Sequence, residues 1–187
     1  MVYRNFFLMG IIIFFALASF GFEDDFSLQY FLAKISSKAD KLSNKERAEL
    51  LNRIEGLLNQ GQQVHMKLTK TIQSGEMNIQ YQEGRFWISK LEEDRGSIEI
   101  GIQQIKLLRE KSTHLVSTIK LYKSLRDLSS NFNAYNNMPS FSAFIGDLAS
   151  EIGLWADPVF YQLYLLPLAH SKDLGEVPSQ KDKKPLP

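Results

Sequence analysis

The chain has 187 residues, of which 44% are apolar and 23% charged, enough to bury one core or one long bundle with a small appendage. It contains no cysteine, which excludes disulfides, thiolate metal sites and cysteine nucleophiles. Residues 34–133 hold 17 Lys and Arg against 12 Asp and Glu, an excess far below the basic footprint of nucleic-acid-binding proteins. We therefore expect a protein that is held together by packing alone and does not bind nucleic acid.

The N-terminal segment has the pattern of a targeting sequence. Arg4 precedes an uncharged run over residues 6–18 that ends in the small-x-small pattern Ala16-Leu17-Ala18, and residues 23–25 are acidic. This predicts a signal peptide over residues 1–18. The alternatives are a membrane anchor over residues 6–22, slightly short for a bilayer, and a buried soluble helix. The first two place the following chain outside the cytoplasm, in a periplasmic, extracellular or outward-facing anchored position.

Residues 26–133 show the apolar spacing of long helices that pack on one another, and predict an all-α fold. A short amphipathic helix over residues 26–35 is followed by a capping box from Ser43 to Glu46. The first long seam consists of Leu50, Ile54, Leu57, Gly61, Val64, Leu68 and Ile72. The second consists of Met77, Tyr81, Gly84, Ile88, Leu91, Ile98, Ile102 and Ile105, then moves by one position to Leu108, Leu115, Ile119 and Tyr122.

The connection between the two seams predicts a long antiparallel helical hairpin with Ser74-Gly75 at its tip and an end near Phe132. Arg95 interrupts the second seam, and a break at Gly96 with Ser97 as a new cap would give a three-helix bundle instead. A small three-stranded meander over residues 77–102 is a third interpretation, because parts of that segment alternate with period two.

The C-terminal part differs in composition, since residues 135–169 contain seven aromatics, three acids and no Lys or Arg. Residues 139–169 predict a small aromatic-rich helical cap of two short helices, the first closed by Gly153 and the second opened by Asp157-Pro158. The cap either docks on the hairpin or contacts a partner. Residues 170–187 are polar and read as a disordered tail.

No motif of an enzyme, a cofactor site or a metal site is present. His65, His114 and His170 lack metal-ligand spacing, although the first two could approach each other across the hairpin. The run Glu92-Glu93-Asp94 is expected to be a solvated turn, because adjacent carboxylates on a helix diverge. We therefore predict no catalytic residue, no cofactor, no metal and no small-molecule substrate.

Two groups of residues are candidates for an interaction surface. Lys106, Arg109, Lys120 and Lys123 would share about one quadrant of a continuous helix, where they could meet anionic lipid or an acidic partner. Their alternative role is a solvated face paired with Glu46, Glu49 and Glu55. The second group is Trp155, Phe160, Tyr161 and Tyr164, which would contact a partner or membrane, or fold down onto the open end of the hairpin.

These observations favour a non-enzymatic cell-envelope coiled-coil protein that acts as a structural spacer, adaptor or secretion-associated scaffold subunit. Its expected partner is another protein or a second copy bound through the helical seams, with membrane proximity if the N-terminus is not cleaved. The alternative is an exported carrier or sensor that holds an apolar ligand between the C-terminal helices and the hairpin.

Export is directly testable with a fusion of residues 1–40 to a reporter that is active only in the periplasm. The uncharged run behind Arg4 should carry the reporter across the membrane. Activity after export is the expected result. A cytoplasmic, fully soluble product that retains Met1 would contradict both the signal-peptide and the anchor interpretations.

Overall fold

A computed structural model describes residues 26–36, 41–74 and 81–173 of the chain. Within these ranges the fold is all-α and bundle-like, without a strand, as the sequence predicts. The signal peptide or anchor, Gly75 and residues 174–187 of the predicted tail lie outside the described residues. The helices are α1 (Leu28–Ser36), α2 (Asn44–Gln73), α3 (Tyr81–Glu110), α4 (Leu115–Asn136), α5 (Pro139–Ile145), α6 (Leu148–Phe160) and α7 (Leu166–Asp173), with a π-helical segment (Tyr161–Leu165) between the last two.

Four helices contact one another in a ring. α3 packs against α2 and α4, α4 packs against α6, and α6 returns to α2. The short α1 covers α6, and α5 contacts both α4 and α2. Among the helices described, none combines the length and the apolar character that crossing a bilayer requires.

The sequence prediction for the start and the inner face of α2 is confirmed. Ser43 caps the helix in the expected capping box, in which the Glu46 amide donates to Ser43 Oγ at 3.2 Å and the Ser43 amide donates to Glu46 Oε2 at 2.6 Å. The seam is buried from Leu50 to Leu68, and only Ile72 at its end is partly exposed. Apolar side chains at every inward position make this helix readable from sequence alone.

Glu46 also fastens α1 to α2. Its Oε1 accepts hydrogen bonds from the Tyr30 hydroxyl and the Lys34 ammonium. Burial by itself would raise the pKa of Glu46, but the hydrogen bonds from Lys34, Tyr30 and Ser43 outweigh burial and lower the pKa to about 2. The ionised carboxylate therefore stabilises the fold above a pH of about 4.5, and this contribution is lost as the pH falls toward 2.

The second long segment is one helix through Gly96, so the predicted break there is wrong. The chain turns instead at residues 111–114, where His114 caps α4 by accepting from the Ser117 amide at 3.3 Å. A single helix ending near Phe132 is therefore also wrong. Residues 81–102 are helical, which contradicts the meander for the part of it that is described.

The inward row of α3 keeps the heptad spacing and includes Leu91, Ile98, Ile105 and Leu108 as predicted, but it differs from the prediction at other positions. Asp94 and Gly101 are buried, whereas Arg95 and Ile88 are exposed and Ile102 is only partly buried. The row consists of Trp87, Leu91, Asp94, Ile98, Gly101, Ile105 and Leu108. On α4 the predicted seam of Leu115, Ile119 and Tyr122 is wrong, because the buried row is Thr118, Leu121, Leu125, Leu128, Phe132 and Tyr135.

Gly101 is the point at which α2, α3 and α4 come closest. A Cβ placed on this residue would lie 2.7 Å from Leu58 Cδ1 of α2 and 3.1 Å from Ser124 Oγ of α4. Both distances are shorter than ordinary van der Waals contact. A side chain at this position would therefore require the Leu58 and Ser124 side chains to move, which the glycine avoids.

The C-terminal helices start and end at other residues than predicted. α5 ends at Gly146, whose φ of 52° favours glycine, and α6 then runs through both Gly153 and Pro158. The π-helical segment follows, in which the Leu166 amide donates to the Tyr161 carbonyl five residues earlier. Residues 170–173 belong to α7 and not to the tail. These helices pack along α4 and complete the ring of helices. The sequence instead predicts a cap on the open end of a hairpin.

Pro167 explains one contact of this segment. Proline has no amide hydrogen, so Pro167 cannot donate to the carbonyl of Leu163, four residues earlier. The Thr118 hydroxyl of α4 donates to that carbonyl at 3.4 Å. A polar residue in the inward row of α4 thus satisfies the backbone of the facing helix.

We expect Gly101→Ala to lower the free energy of unfolding by about 1 to 2 kcal/mol, because the overpacking exceeds the gain in helix propensity. Gly56→Ala is the matched control, since no atom lies within 4 Å of the new Cβ on α2. That variant should gain about 0.5 to 1 kcal/mol. Urea denaturation measures both. Equal effects of the two substitutions would show that Gly101 does not limit the helix spacing.

Candidate interaction surfaces

The four predicted basic residues lie on two helices, so they do not form the stripe of one continuous helix. Lys106 and Arg109 are on α3, Lys120 and Lys123 are on α4, and all four are exposed. Arg109 Nη2 lies 2.7 Å from Glu55 Oε2 and 2.7 Å from Asn52 Oδ1, both on α2. This ion pair agrees with the alternative prediction, in which the basic side chains are solvated and pair with glutamates of α2.

Trp155 is not a surface residue. It is buried between α1 and α2, with its ring centroid 5.9 Å from that of Phe31 and 5.7 Å from the guanidinium carbon of Arg53. The prediction of an interaction surface at this position conflicts with its burial, because α6 docks on the body of the same chain. The tryptophan therefore serves the packing of α1, α2 and α6.

The other three predicted aromatics form a cluster with a tyrosine of α4. The Phe160 ring stacks on Tyr164 with centroids 5.5 Å apart and lies 4.8 Å from Tyr122 and 5.7 Å from Tyr161. Tyr161 is 43% exposed, and the other three are partly buried. We call these four residues the aromatic cluster. It joins α4 to the π-helical segment and leaves one tyrosine face open to solvent.

A groove runs along the outer side of α3 and α4. Two cavities of about 240 and 510 Å³ share Ser97, Ile100 and Asp127, and so form one depression. Ile100 is 45% exposed within it, although it is a large apolar residue. The remaining lining residues of this α3–α4 groove are Lys90, Glu93, Gly96, Gln103, Gln104, Lys120, Lys123, Ser124, Ser130 and Asn131.

Small side chains keep the groove deep. The Ser124 hydroxyl donates to the Ser97 carbonyl, which ties α4 to α3 directly beneath Ile100. Two charged pairs line the groove, with Lys90 2.8 Å from Glu93 and Lys123 2.5 Å from Asp127. An exposed isoleucine with small and charged neighbours can accept an apolar side chain of a helix laid between α3 and α4.

Behind the groove lies a buried carboxylate that the sequence analysis assigned to a solvated turn. Glu92 and Glu93 are exposed as expected, but Asp94 is fully buried. Asp94 Oδ1 accepts from Asn131 Nδ2 at 2.8 Å, and Oδ2 accepts from the Tyr135 hydroxyl at 2.5 Å. The signal that could have identified it is its spacing, three residues after Leu91 and four before Ile98.

The protonation of this carboxylate is sensitive to its surroundings. Burial raises the pKa of Asp94 to about 6, although the hydrogen bonds from Tyr135 and Asn131 act in the opposite direction. Burial beside Asp94 also raises the pKa of the Tyr135 phenol. The Tyr135 ring packs 5.3 Å from Trp87 and 5.8 Å from Phe141, which keeps water away from the pair.

The three histidines are dispersed and have structural partners. His65 Nε2 lies 2.9 Å from the Leu91 carbonyl on α3, and burial lowers the pKa of its imidazole. His114 caps α4 at the far end of α3, so the possible approach of these two residues does not occur. His170 Nδ1 lies 2.7 Å from the Leu166 carbonyl. In the described ranges, no three His, Asp or Glu side chains are grouped as a metal site would require.

Gln162 in the π-helical segment is another residue that the sequence did not single out. Its side chain is buried, and neither amide atom has a hydrogen-bond partner in the described part of the chain. Leaving a buried amide unpaired costs on the order of 1 to 3 kcal/mol. The unpaired Gln162 amide therefore lowers the stability of the fold where the π-helical segment packs.

Comparison of the chain with protein-family models, with curated proteins and with solved structures finds no match.

We predict that Asp94→Asn reduces the pH dependence of stability between about pH 4 and 7. An acid with a raised pKa binds its proton more tightly when folded, so wild-type stability falls as the pH rises from the unfolded value of 3.8 through about 6. A shift of about two units corresponds to roughly 3 kcal/mol at most. The melting temperature of the variant should rise relative to wild type over this range.

Tyr135→Phe is the control for this titration. Removing the Tyr135 hydroxyl takes away a hydrogen bond that lowers the pKa of Asp94, so this pKa should rise in the variant. The fall in stability that wild type shows with rising pH should then occur at higher pH. If the melting temperatures of wild type and Asp94→Asn change with pH in the same way across the whole range, Asp94 does not titrate as described.

Proposed function

We propose that the chain is a non-enzymatic cell-envelope protein whose helical body acts as a structural spacer, adaptor or scaffold subunit. The observation that carries the proposal is the α3–α4 groove, in which an apolar side chain stays exposed although the bundle has a complete core on its other side. Export rests on the sequence pattern of residues 1–25. The expected partner is a helix of another protein or of a second copy.

The groove suits a helix for three reasons. It lies between two contacting helices of 30 and 22 residues, so its walls are long enough for several turns of a partner helix. Its floor contains Gly96, Ser97 and Ser124, which take little space. Ile100 near the middle offers an apolar contact of the kind that an amphipathic helix places at every third or fourth position.

The charged residues along the groove add selectivity more than affinity. Lys123 and Asp127 already pair with each other, as do Lys90 and Glu93, so a partner gains little by replacing these exposed contacts. Lys120 is exposed at the end nearest the start of α4. A partner helix with an acidic residue at that end would be oriented by Lys120.

The alternative of a carrier for an apolar ligand has less support. The cavity between α2 and α6 has a volume of about 280 Å³, which is small for such a ligand. Polar side chains dominate its lining, which includes Glu49, Asn52, Arg53, Gln60 and Glu151. An apolar ligand would have to cover these groups without satisfying them.

The partner proposal is tested by photo-crosslinking in cells with a photoreactive phenylalanine in place of Ile100. We expect one or a few discrete cross-linked products, because the probe lies in the groove that the partner occupies. The matched control replaces Leu154, which is 52% exposed on α6 and lies outside the groove.

Ser130→Arg provides a second control, because it places a bulky charged side chain at an exposed position of the groove wall. The products from position 100 should disappear in this background while the protein stays folded. Identical products from positions 100 and 154, or none from either, would overturn the assignment of the groove.

A further inference from the structure

One end of the bundle gathers three parts of the chain. The Arg47 guanidinium donates to the Ser112 carbonyl, which places the start of α2 beside the turn between α3 and α4. The bond from Thr118 to the Leu163 carbonyl places the π-helical segment beside the first turn of α4. Lys45 Nζ lies 5.3 Å from the Phe26 ring centroid, while Phe26 also lines a cavity with Glu49 and Gln60 farther along α2. We call this region the basal end.

Apolar side chains are exposed at the basal end. Val116 is 59% and Ile119 is 36% exposed, and their spacing of three residues puts them on the same side of α4. The exposed ring of Tyr161 belongs to the aromatic cluster, which also contains Tyr122 one helical turn after Ile119. Isolated exposed apolar residues are common, but a group of them at one end of the bundle indicates a surface that contacts another molecule.

The charge at the same end is mainly positive. Lys41, Lys45, Lys111 and Lys120 are exposed around it. Of the acids described near these lysines, Glu46 is buried and bound by Lys34 and Tyr30, Glu49 is partly buried, and Glu110 and Asp157 are exposed. A surface that combines lysines with exposed apolar and tyrosine side chains matches a bilayer interface with anionic head groups.

We propose that the basal end docks on the anionic head-group region of a membrane, with Val116, Ile119 and Tyr161 entering the interface and the surrounding lysines meeting the lipid phosphates. The proposal rests on the envelope location given under the proposed function. Phe26, whose ring lies beside the Lys45 ammonium, follows residues 1–25, of which residues 6–22 carry no charge and residues 23–25 are acidic.

Lipid fits this surface better than a protein does. Protein interfaces are depleted in lysine and enriched in arginine, whereas the exposed cations named at the basal end are lysines. The two arginines of this region are engaged, Arg47 with Ser112 and Arg109 with Glu55. Lysine side chains can reach the head groups from several Å away while their stems cover apolar surface.

The absence of cysteine from the chain allows a site-specific test. Val116→Cys in the full chain is labelled with an environment-sensitive NBD dye and reconstituted with vesicles of phosphatidylcholine alone or with roughly 30% phosphatidylglycerol. Emission at position 116 should rise and shift to shorter wavelength only with the anionic vesicles, and about 0.5 M salt should reverse the change. Met66→Cys, exposed near the other end of α2, is the matched control and should not respond.

Charge reversal tests the lysines separately. Lys41→Glu combined with Lys111→Glu should raise the lipid concentration for half of the signal at least about tenfold, since each lysine near an anionic surface contributes about a fivefold factor. No response at position 116, or an equal response to neutral vesicles, would overturn the proposal. A response that depends on protein concentration without vesicles would assign the surface to a second copy and would also overturn it.

These outcomes are distinguishable from failure of the proposed function. The export fusion and the cross-linking from Ile100 do not involve Val116, Lys41 or Lys111, the positions changed in the vesicle tests. A negative vesicle result with positive export and cross-linking would remove the membrane contact alone. A cytoplasmic fusion product would remove the envelope location itself.

Discussion

The close approach of three helices at Gly101 is the constraint on which the rest of the bundle depends. Leu58 of α2 and Ser124 of α4 both occupy the space that a side chain would need, so α3 faces them with Gly101. The same face includes Asp94, two turns earlier, whereas Ile100, about 100° around the helix, is exposed to solvent. The buried carboxylate and the α3–α4 groove are thus two results of the same rotation of α3.

The sequence identifies a helix well where its buried positions are apolar. In α2 the predicted seam from Leu50 to Leu68 is buried, and the pattern missed only Leu51 and Leu58, which are buried beside it. In α3 the heptad period was correct, but hydropathy ranks Ile102 above Gly101 and rejects Asp94 as a core residue. In α4 serines and a threonine line the interface, so the apolar pattern pointed to the wrong face. Such polar interior positions are defined by partners on other helices, which one chain segment does not reveal.

The candidate surfaces were predictable in residue type but not in arrangement. Phe160, Tyr161 and Tyr164 were recognised as an unusual aromatic group, and the structure adds Tyr122 from a helix on which it had been assigned to a seam. Trp155 belongs to the same aromatic-rich segment and was assigned to the same surface, yet Phe31 and Arg53 pack against it. Whether an aromatic side chain is covered depends on how α1 and α2 pack on α6, which is tertiary information.

The π-helical segment has a consequence for the chain that follows it. A turn closed by a bond over five residues holds one residue more than an α-helical turn, so the angular phase of the helix changes by about 100° between Phe160 and Leu166. Residues on the two sides of the segment therefore belong to two different helical wheels. The inserted residue thus changes which side of the helix points toward the bundle. Before the segment α6 packs into the bundle, and after it α7 turns a different side toward its surroundings.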